Sequence, residues 1–215
     1  LFIHEKIVKP ATCRITPGSG LDLSHFQNTK NTSLPKQFTF LLIARLLWDK
    51  GIGEFIDATK LLKAHFVDIR CQVIGSLGVQ NRSAISKDLV LKWDASGIVE
   101  YLGEVDDVRP YILNASCIVL PSYREGTSRV LLEASALCRP LITTDVPGCR
   151  EVVDDGINGL LCKSRDSYDL YHKMRQMVML SHDERSQMGL CGRNYVERKF
   201  SHKIVCKIYR NAITE

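Results

Sequence analysis

Two carboxylates, Glu125 and Glu133, lie eight residues apart in the stretch REGTSRVLLEASAL, and the second stands inside an otherwise apolar run of Val130, Leu131, Leu132, Ala134, Ala136 and Leu137. A buried carboxylate without partners is costly, so a glutamate in that setting needs a cation or a ligand. Between the two acids, Gly126, Thr127 and Ser128 form a turn into the helix, with Ser128 as its N-cap. Backbone N–H groups at a helix start, together with the positive end of the helix dipole, suit an anion. Glu125 then lies on one side of an anion site, in the loop, and Glu133 on the other, about 7 Å along the helix axis.

A second candidate lies in ARLLWDKGIGEF, where Arg45 and Lys50 flank a Gly51-Ile52-Gly53 turn that opens a helix. Two cations beside a helix start suit a phosphate. The motif is neither a Walker A loop nor a dinucleotide fingerprint, because Ile56 stands where GxGxxG needs its third glycine. Alone, it reads equally well as solvated charge at a helix end. An ionised carboxylate accepts at two oxygens and matches a pair of neighbouring hydroxyls. Phosphates bracketed by two such carboxylates give the layout of a nucleoside diphosphate sugar. The plainer reading makes Glu133 an exposed helix glutamate and Glu125 a loop charge, and the apolar surroundings of Glu133 weigh against it.

The elements that must carry these residues are legible as apolar runs. Strand-length runs cover 13–16, 38–46, 70–75, 99–103, 116–121, 140–144 and 159–162. Helical periodicity covers 53–66, 82–95, 108–115, 128–137 and 150–154, and helix continues beyond Asp166 with breaks near Ser181 and Ser201. This βαβα order predicts an α/β fold, doubly wound, with a mostly parallel sheet and helices on both faces. Ligands in such sheets bind beyond the carboxyl ends of the strands, and both candidate motifs follow a strand. Residues 1–12 read as the end of a preceding element or a linker, 13–200 as the domain, and 201–215 as a separate C-terminal helix. The chain starts in mid-element without a methionine, as a piece of a longer one would.

Composition limits the alternatives. With 215 residues, 45% of them hydrophobic, the chain is long enough for a full core. A net charge of +5 without a concentrated basic window excludes a nucleic-acid arm. Eight cysteines are scattered singly, many in apolar runs, and read as reduced buried thiols. No cysteine–histidine spacing suits a metal, none of the six histidines is assigned chemistry, and the absence of a D-x-D triplet predicts a site without a divalent ion. No apolar run spans a bilayer and no signal peptide opens the chain, so a cytoplasmic protein is expected. Asp106 and Asp107 are read as helix-capping residues, Glu151, Asp154 and Asp155 as surface charges, and Pro147 and Gly148 as turn residues.

PSYREGTSRVLLEASALCRPLITTDVPGCREVVDDGINGLL closely resembles the E-x7-E region of glycosyltransferase family 4, retaining enzymes of the GT-B fold. PGSGLDLSHF, IARLLWDKGIGEFI and VEYLGEVDDVRPYI resemble that family's entry to the C-terminal domain, phosphate motif and base-binding segment, in the same order. The resemblance implies a Rossmann-like donor-binding half. Arg45 and Lys50 would neutralise the donor diphosphate, Glu125 hold the transferred sugar, Glu133 the ribose, and backbone around Val105 the base. It implies a nucleotide-sugar donor, with UDP preferred, and no cofactor or metal. The glycan or polyprenyl-diphosphate-linked acceptor would bind an N-terminal half not included in this sequence, at the inner face of the cytoplasmic membrane, and this half alone would not turn over. The 201–215 helix would cross back to that half. Ser128 departs from the glycine or proline many members carry there. A sugar-nucleotide epimerase of the same architecture, or a binding module without catalysis, remain alternatives at this point.

Overall fold

The computed structural model describes residues 5, 7, 9, 16–26, 37–78 and 80–214. Six parallel strands form one sheet in the order β3-β2-β1-β4-β5-β6, with β1 at Phe38–Ile43, β2 at Ile69–Ile74, β3 at Glu100–Tyr101, β4 at Cys117–Leu120, β5 at Leu141–Thr144 and β6 at Gly159–Cys162. The helices are α1 (Ile52–Lys63), α2 (Lys87–Ala95), α3 (Arg109–Leu113), α4 (Arg129–Ala136), α5 (Ser167–Met179), α6 (His182–Lys199) and α7 (His202–Thr214). The expected doubly wound α/β architecture is present, and the breaks before α6 and α7 fall where the sequence placed them.

Alternation along the strands explains the two-sided core. In β1, Phe40 and Leu42 face one apolar layer, which includes Phe55 and Leu62 of α1 and Leu170 and Met174 of α5. Leu41 and Ile43 face the other, with Leu131 and Leu132 of α4 and Val196 of α6. A parallel sheet covered on both faces needs such continuous apolar strands. α1 packs on α5 across one face and α4 on α6 across the other. Five cysteines, Cys71, Cys117, Cys138, Cys149 and Cys162, are buried free thiols within these layers, as expected.

Two segments depart from the sequence reading. The helix expected from Arg82 begins at Lys87, because residues 83–85 pair with the loop after β1 instead. Trp48 N–H donates to Ser83 O at 2.8 Å and Ile85 N–H to Leu46 O at 2.9 Å. Ser86 then caps α2 by accepting from Leu89 N–H. Residues 150–154 form turns rather than a helix: the Asn158 side chain accepts from Asp154 N–H at 2.7 Å and donates to Val152 O at 3.0 Å, taking the groups a helix would use. The strand expected at 13–16 falls largely outside the described residues. No helix among the described residues is long and apolar enough to cross a membrane.

Strand order reverses between β1 and β4, so β1–β2–β3 winds one way and β4–β5–β6 the other. The loops leaving β1 and β4 diverge there and open a crevice at the carboxyl edge of the sheet.

Candidate functional site

The loops after β1 and β4 meet across that crevice. Gly51 has φ 72°, and a Cβ there would collide with the carbonyl oxygen of Pro121. Only a glycine lets α1 begin this close to the end of β4. Tyr123 N–H donates to Asp49 O at 2.9 Å and Ser122 Oγ donates to the same oxygen at 3.2 Å. These bonds bring Lys50 Nζ to 2.7 Å from Glu125 Oε1, with the two side chains only 16% and 15% exposed. The sequence offered these residues as two separate motifs; the structure joins them as one ion pair.

A third loop, after β5, supports the other side. Gly148, at φ 84°, is packed so closely under the Glu125 and Gly126 carbonyls that a Cβ would clash with both. Glu125 N–H reaches Pro147 O at 3.4 Å, and the Thr144 hydroxyl donates to Ser122 O. Gly148 N–H donates to Glu151 Oε2 at 2.5 Å, so Glu151, exposed as expected, also supports this loop. The signal in the sequence was VPGCRE, a glycine three residues before an acid, which read as turn punctuation.

Fewer backbone amides are free at the start of α4 than the sequence reading expects. Ser128 occupies the N-cap position of α4, but its hydroxyl makes no capping bond, and its N–H is taken by Gly148 O at 3.2 Å. The Gly126 and Thr127 amides have no hydrogen-bond partner among the described residues, and the space beside Gly126 is open to 4 Å. Thr127 packs against Gly18, where a Cβ would lie 2.7 Å from its hydroxyl oxygen. Arg45 is exposed on the loop after β1 and has no side-chain partner among the described residues.

Glu133 projects from α4 into a cavity of about 410 Å³ lined by Asp22, Phe26, Asp106, Val108, Arg129 and others. Its side chain is 13% exposed, and Arg129, one turn earlier, approaches only to 3.6 Å. Burial raises the Glu133 carboxyl above its ordinary value, and the charge of Arg129 opposes that shift without cancelling it. Val105 is half-buried against the core, while the residues that follow it face the cavity. Asp107 accepts from Arg109 N–H at 3.0 Å just before α3, whose N-cap position is Val108, and also pairs with its guanidinium at 2.8 Å. The same Arg109 donates to His25 O at 3.1 Å, and Arg193 of α6 donates to Phe26 O at 2.6 Å and Ala136 O at 2.7 Å. Two arginines that sequence reading passed over therefore fasten the wall opposite Glu133. A larger concavity of about 770 Å³, lined by Phe38, His65, Ile69 and Val178, lies at the amino ends of β1 and β2, away from this site.

The crevice thus combines a cation, two part-buried carboxylates and two unpartnered amides over a doubly wound sheet. Residues 25–194 match the family described as glycosyl transferases group 1. The chain belongs to that family. Among glycosyl transferases group 1 relatives, it is 34% identical over 163 residues to the N,N'-diacetylbacillosaminyl-diphospho-undecaprenol alpha-1,3-N-acetylgalactosaminyltransferase of Campylobacter jejuni, covering 75% of this chain and 40% of that protein. Solved structures share the fold. Sucrose-phosphate synthase from Thermosynechococcus elongatus superposes with a TM-score of 0.81 at 21% identity, over 99% of this chain and 56% of that one. Anabaena HepE in complex with UDP superposes with a TM-score of 0.78 at 17% identity, over 91% and 56%. The chain spans less than half the length of that curated relative.

Proposed function

We propose that this chain is the donor-binding half of a retaining glycosyltransferase that uses a nucleotide sugar, with UDP the preferred nucleotide. The observation that carries the reading is the Lys50–Glu125 pair at the strand-order switch, with Glu133 eight residues on in its own cavity. The donor diphosphate lies over the Gly126 and Thr127 amides beside Lys50, and Arg45 folds in from the loop after β1. Ribose hydroxyls bond the Glu133 carboxylate, and the base meets the segment from Val105 towards Arg109. Glu125 accepts from hydroxyls of the transferred sugar.

The chemistry follows from where charge develops. Breaking the bond between the anomeric carbon and the phosphate oxygen leaves negative charge on the diphosphate and positive character on the sugar. Lys50, Arg45 and the two amides stabilise the first, and the Glu125 carboxylate faces the second. An acceptor hydroxyl attacks from the same face and forms the new glycosidic bond, with its proton passing to the departing phosphate. No step requires a divalent ion.

The relative from Campylobacter, whose name specifies a diphospho-undecaprenol acceptor, and the HepE complex with UDP support a UDP-sugar donor and a lipid-linked glycan acceptor. That acceptor is bound by an N-terminal half of the full-length protein, at the cytoplasmic face of the membrane. In this reading α7 belongs to the segment that crosses back to that half, and this chain alone binds donor with little turnover. Calorimetric titration against UDP, GDP and ADP sugars tests the assignment. Saturable binding of a UDP-sugar is expected, and binding of none of them contradicts it.

A further inference from the structure

We infer that Tyr123 is a positioning residue that sets Lys50 against Glu125 by tying together the loops after β1, β4 and β6. Three contacts meet on this one side chain and its amide. The amide donates to Asp49 O at 2.9 Å, directly before Lys50. The phenol donates to Glu54 Oε1 at 2.6 Å, in the first turn of α1 and four residues after Lys50. The ring lies under the Arg165 guanidinium, 4.6 Å from the ring centre. Arg165 leaves β6 in a left-handed conformation with φ 61°, which a non-glycine residue adopts at a cost.

The Glu54 contact is the sensitive one. Glu54 Oε2 is buried and has no hydrogen-bond partner among the described residues, so the Tyr123 phenol is the one side-chain bond this carboxylate makes there. Without it, a half-buried carboxylate has no partner at all and must turn to water. The first turn of α1 would follow, and Lys50 with it. Burial, then Glu54, push the Tyr123 hydroxyl up to about 12, so it stays a proton donor throughout the working pH range. Tyr123 acts through the loop that holds Lys50.

The inference concerns the ligand-free geometry, and only its consequence for UDP rests on the donor-site reading. Lys50 is therefore read directly, by its rate of acylation with a limiting amine-reactive ester, followed by mass spectrometry. Lys60, paired with Asp57 at 2.8 Å, serves as the internal reference. Tyr123→Phe is expected to raise Lys50 acylation relative to Lys60 by at least about threefold, as a loosened ion pair exposes the amine. Glu54→Ala should do the same and Tyr123→Phe/Glu54→Ala no more than either. Glu54→Gln, which keeps an acceptor oxygen for the phenol, should stay near the parent chain. Unchanged Lys50 acylation in folded Tyr123→Phe overturns the inference; if that variant does not fold, unchanged acylation in Glu54→Ala does so. In UDP titrations, Tyr123→Phe should weaken binding in the parent chain and have no further effect in a Lys50→Ala background. Equal weakening in both backgrounds also overturns it. A Lys50→Ala variant that binds UDP normally breaks the donor-site reading instead, and leaves the acylation result to decide this one.

Discussion

Lys50 Nζ lies 2.7 Å from Glu125 Oε1, an ion pair that spans the point where the strand order reverses. Under the proposed donor reading, the cation assigned to a phosphate is paired with the carboxylate assigned to a sugar. A nucleotide must draw Lys50 partly away from Glu125, and the two residues answer differently to substitution. Lys50→Ala should weaken UDP binding by about 1.5–3 kcal/mol, a charge-assisted bond's contribution. Glu125→Gln frees Lys50 and should tighten UDP by a few-fold, because no sugar is present to miss the carboxylate. Isothermal titration at fixed salt reads both, and weaker UDP binding in Glu125→Gln would show that the pair does not compete with phosphate.

Two glycines one loop apart separate what the fold needs from what a ligand needs. Gly148→Ala places a methyl against the Glu125 and Gly126 carbonyls at φ 84° and should destabilise by about 1–3 kcal/mol or more. Gly126→Ala meets nothing within 4 Å and should leave the melting temperature unchanged. In that variant UDP affinity should nonetheless fall, since the methyl enters the space proposed for phosphate. Thermal unfolding and titration of both variants check the contrast; loss of stability in Gly126→Ala with intact UDP binding would reverse it.

Much of this was legible in the sequence because apolar runs and post-strand motifs are local. The β1, β4, β5 and β6 runs and the α5–α6–α7 breaks read correctly from neighbouring residues. What did not read was non-local. Residues 82–85 carry helical periodicity, but Ser83 and Ile85 give backbone groups to Trp48 and Leu46, and Ser128 holds the N-cap position without a side-chain capping bond. Glu151 is exposed, yet only the folded β5 loop shows that it accepts from Gly148 N–H, and no spacing rule predicts that Lys50 and Glu125, 75 residues apart, touch.

Glu133 makes a prediction about stability and pH. Its folded-state value is raised by burial above the ordinary 4.5, so the folded chain binds more protons than the unfolded one through that range. Stability is then fullest below the ordinary value and declines as pH rises through it towards the raised value. Glu133→Gln removes that decline, so it should melt higher than the parent at about pH 7 and lose its advantage by about pH 4. Melting curves of the ligand-free chains decide it: a variant less stable at neutral pH would mean the carboxylate is better partnered than Arg129 at 3.6 Å allows.

Donor binding should be indifferent to chelation. Neutralisation is assigned to Lys50, Arg45 and the Gly126 and Thr127 amides, and no three His, Cys, Asp or Glu side chains among the described residues are grouped as metal ligands. UDP-sugar affinity measured with EDTA should equal that with magnesium or manganese; a loss on chelation that either metal restores would require a ligand set not identified here.

The bracket of two carboxylates around a diphosphate is tested most directly by comparing UDP with a UDP-sugar in two variants. UDP contains the ribose and lacks the sugar, so the roles assigned to Glu133 and Glu125 separate cleanly. Glu133→Ala should weaken both ligands alike, by about 1–3 kcal/mol, in a protein whose folding has been verified by its melting curve. Glu125→Ala should bind UDP no more weakly than the parent and lose the difference between UDP and UDP-sugar. If Glu125→Ala weakens UDP as much as UDP-sugar, or if folded Glu133→Ala binds both as the parent does, the two glutamates do not bracket a glycosyl donor.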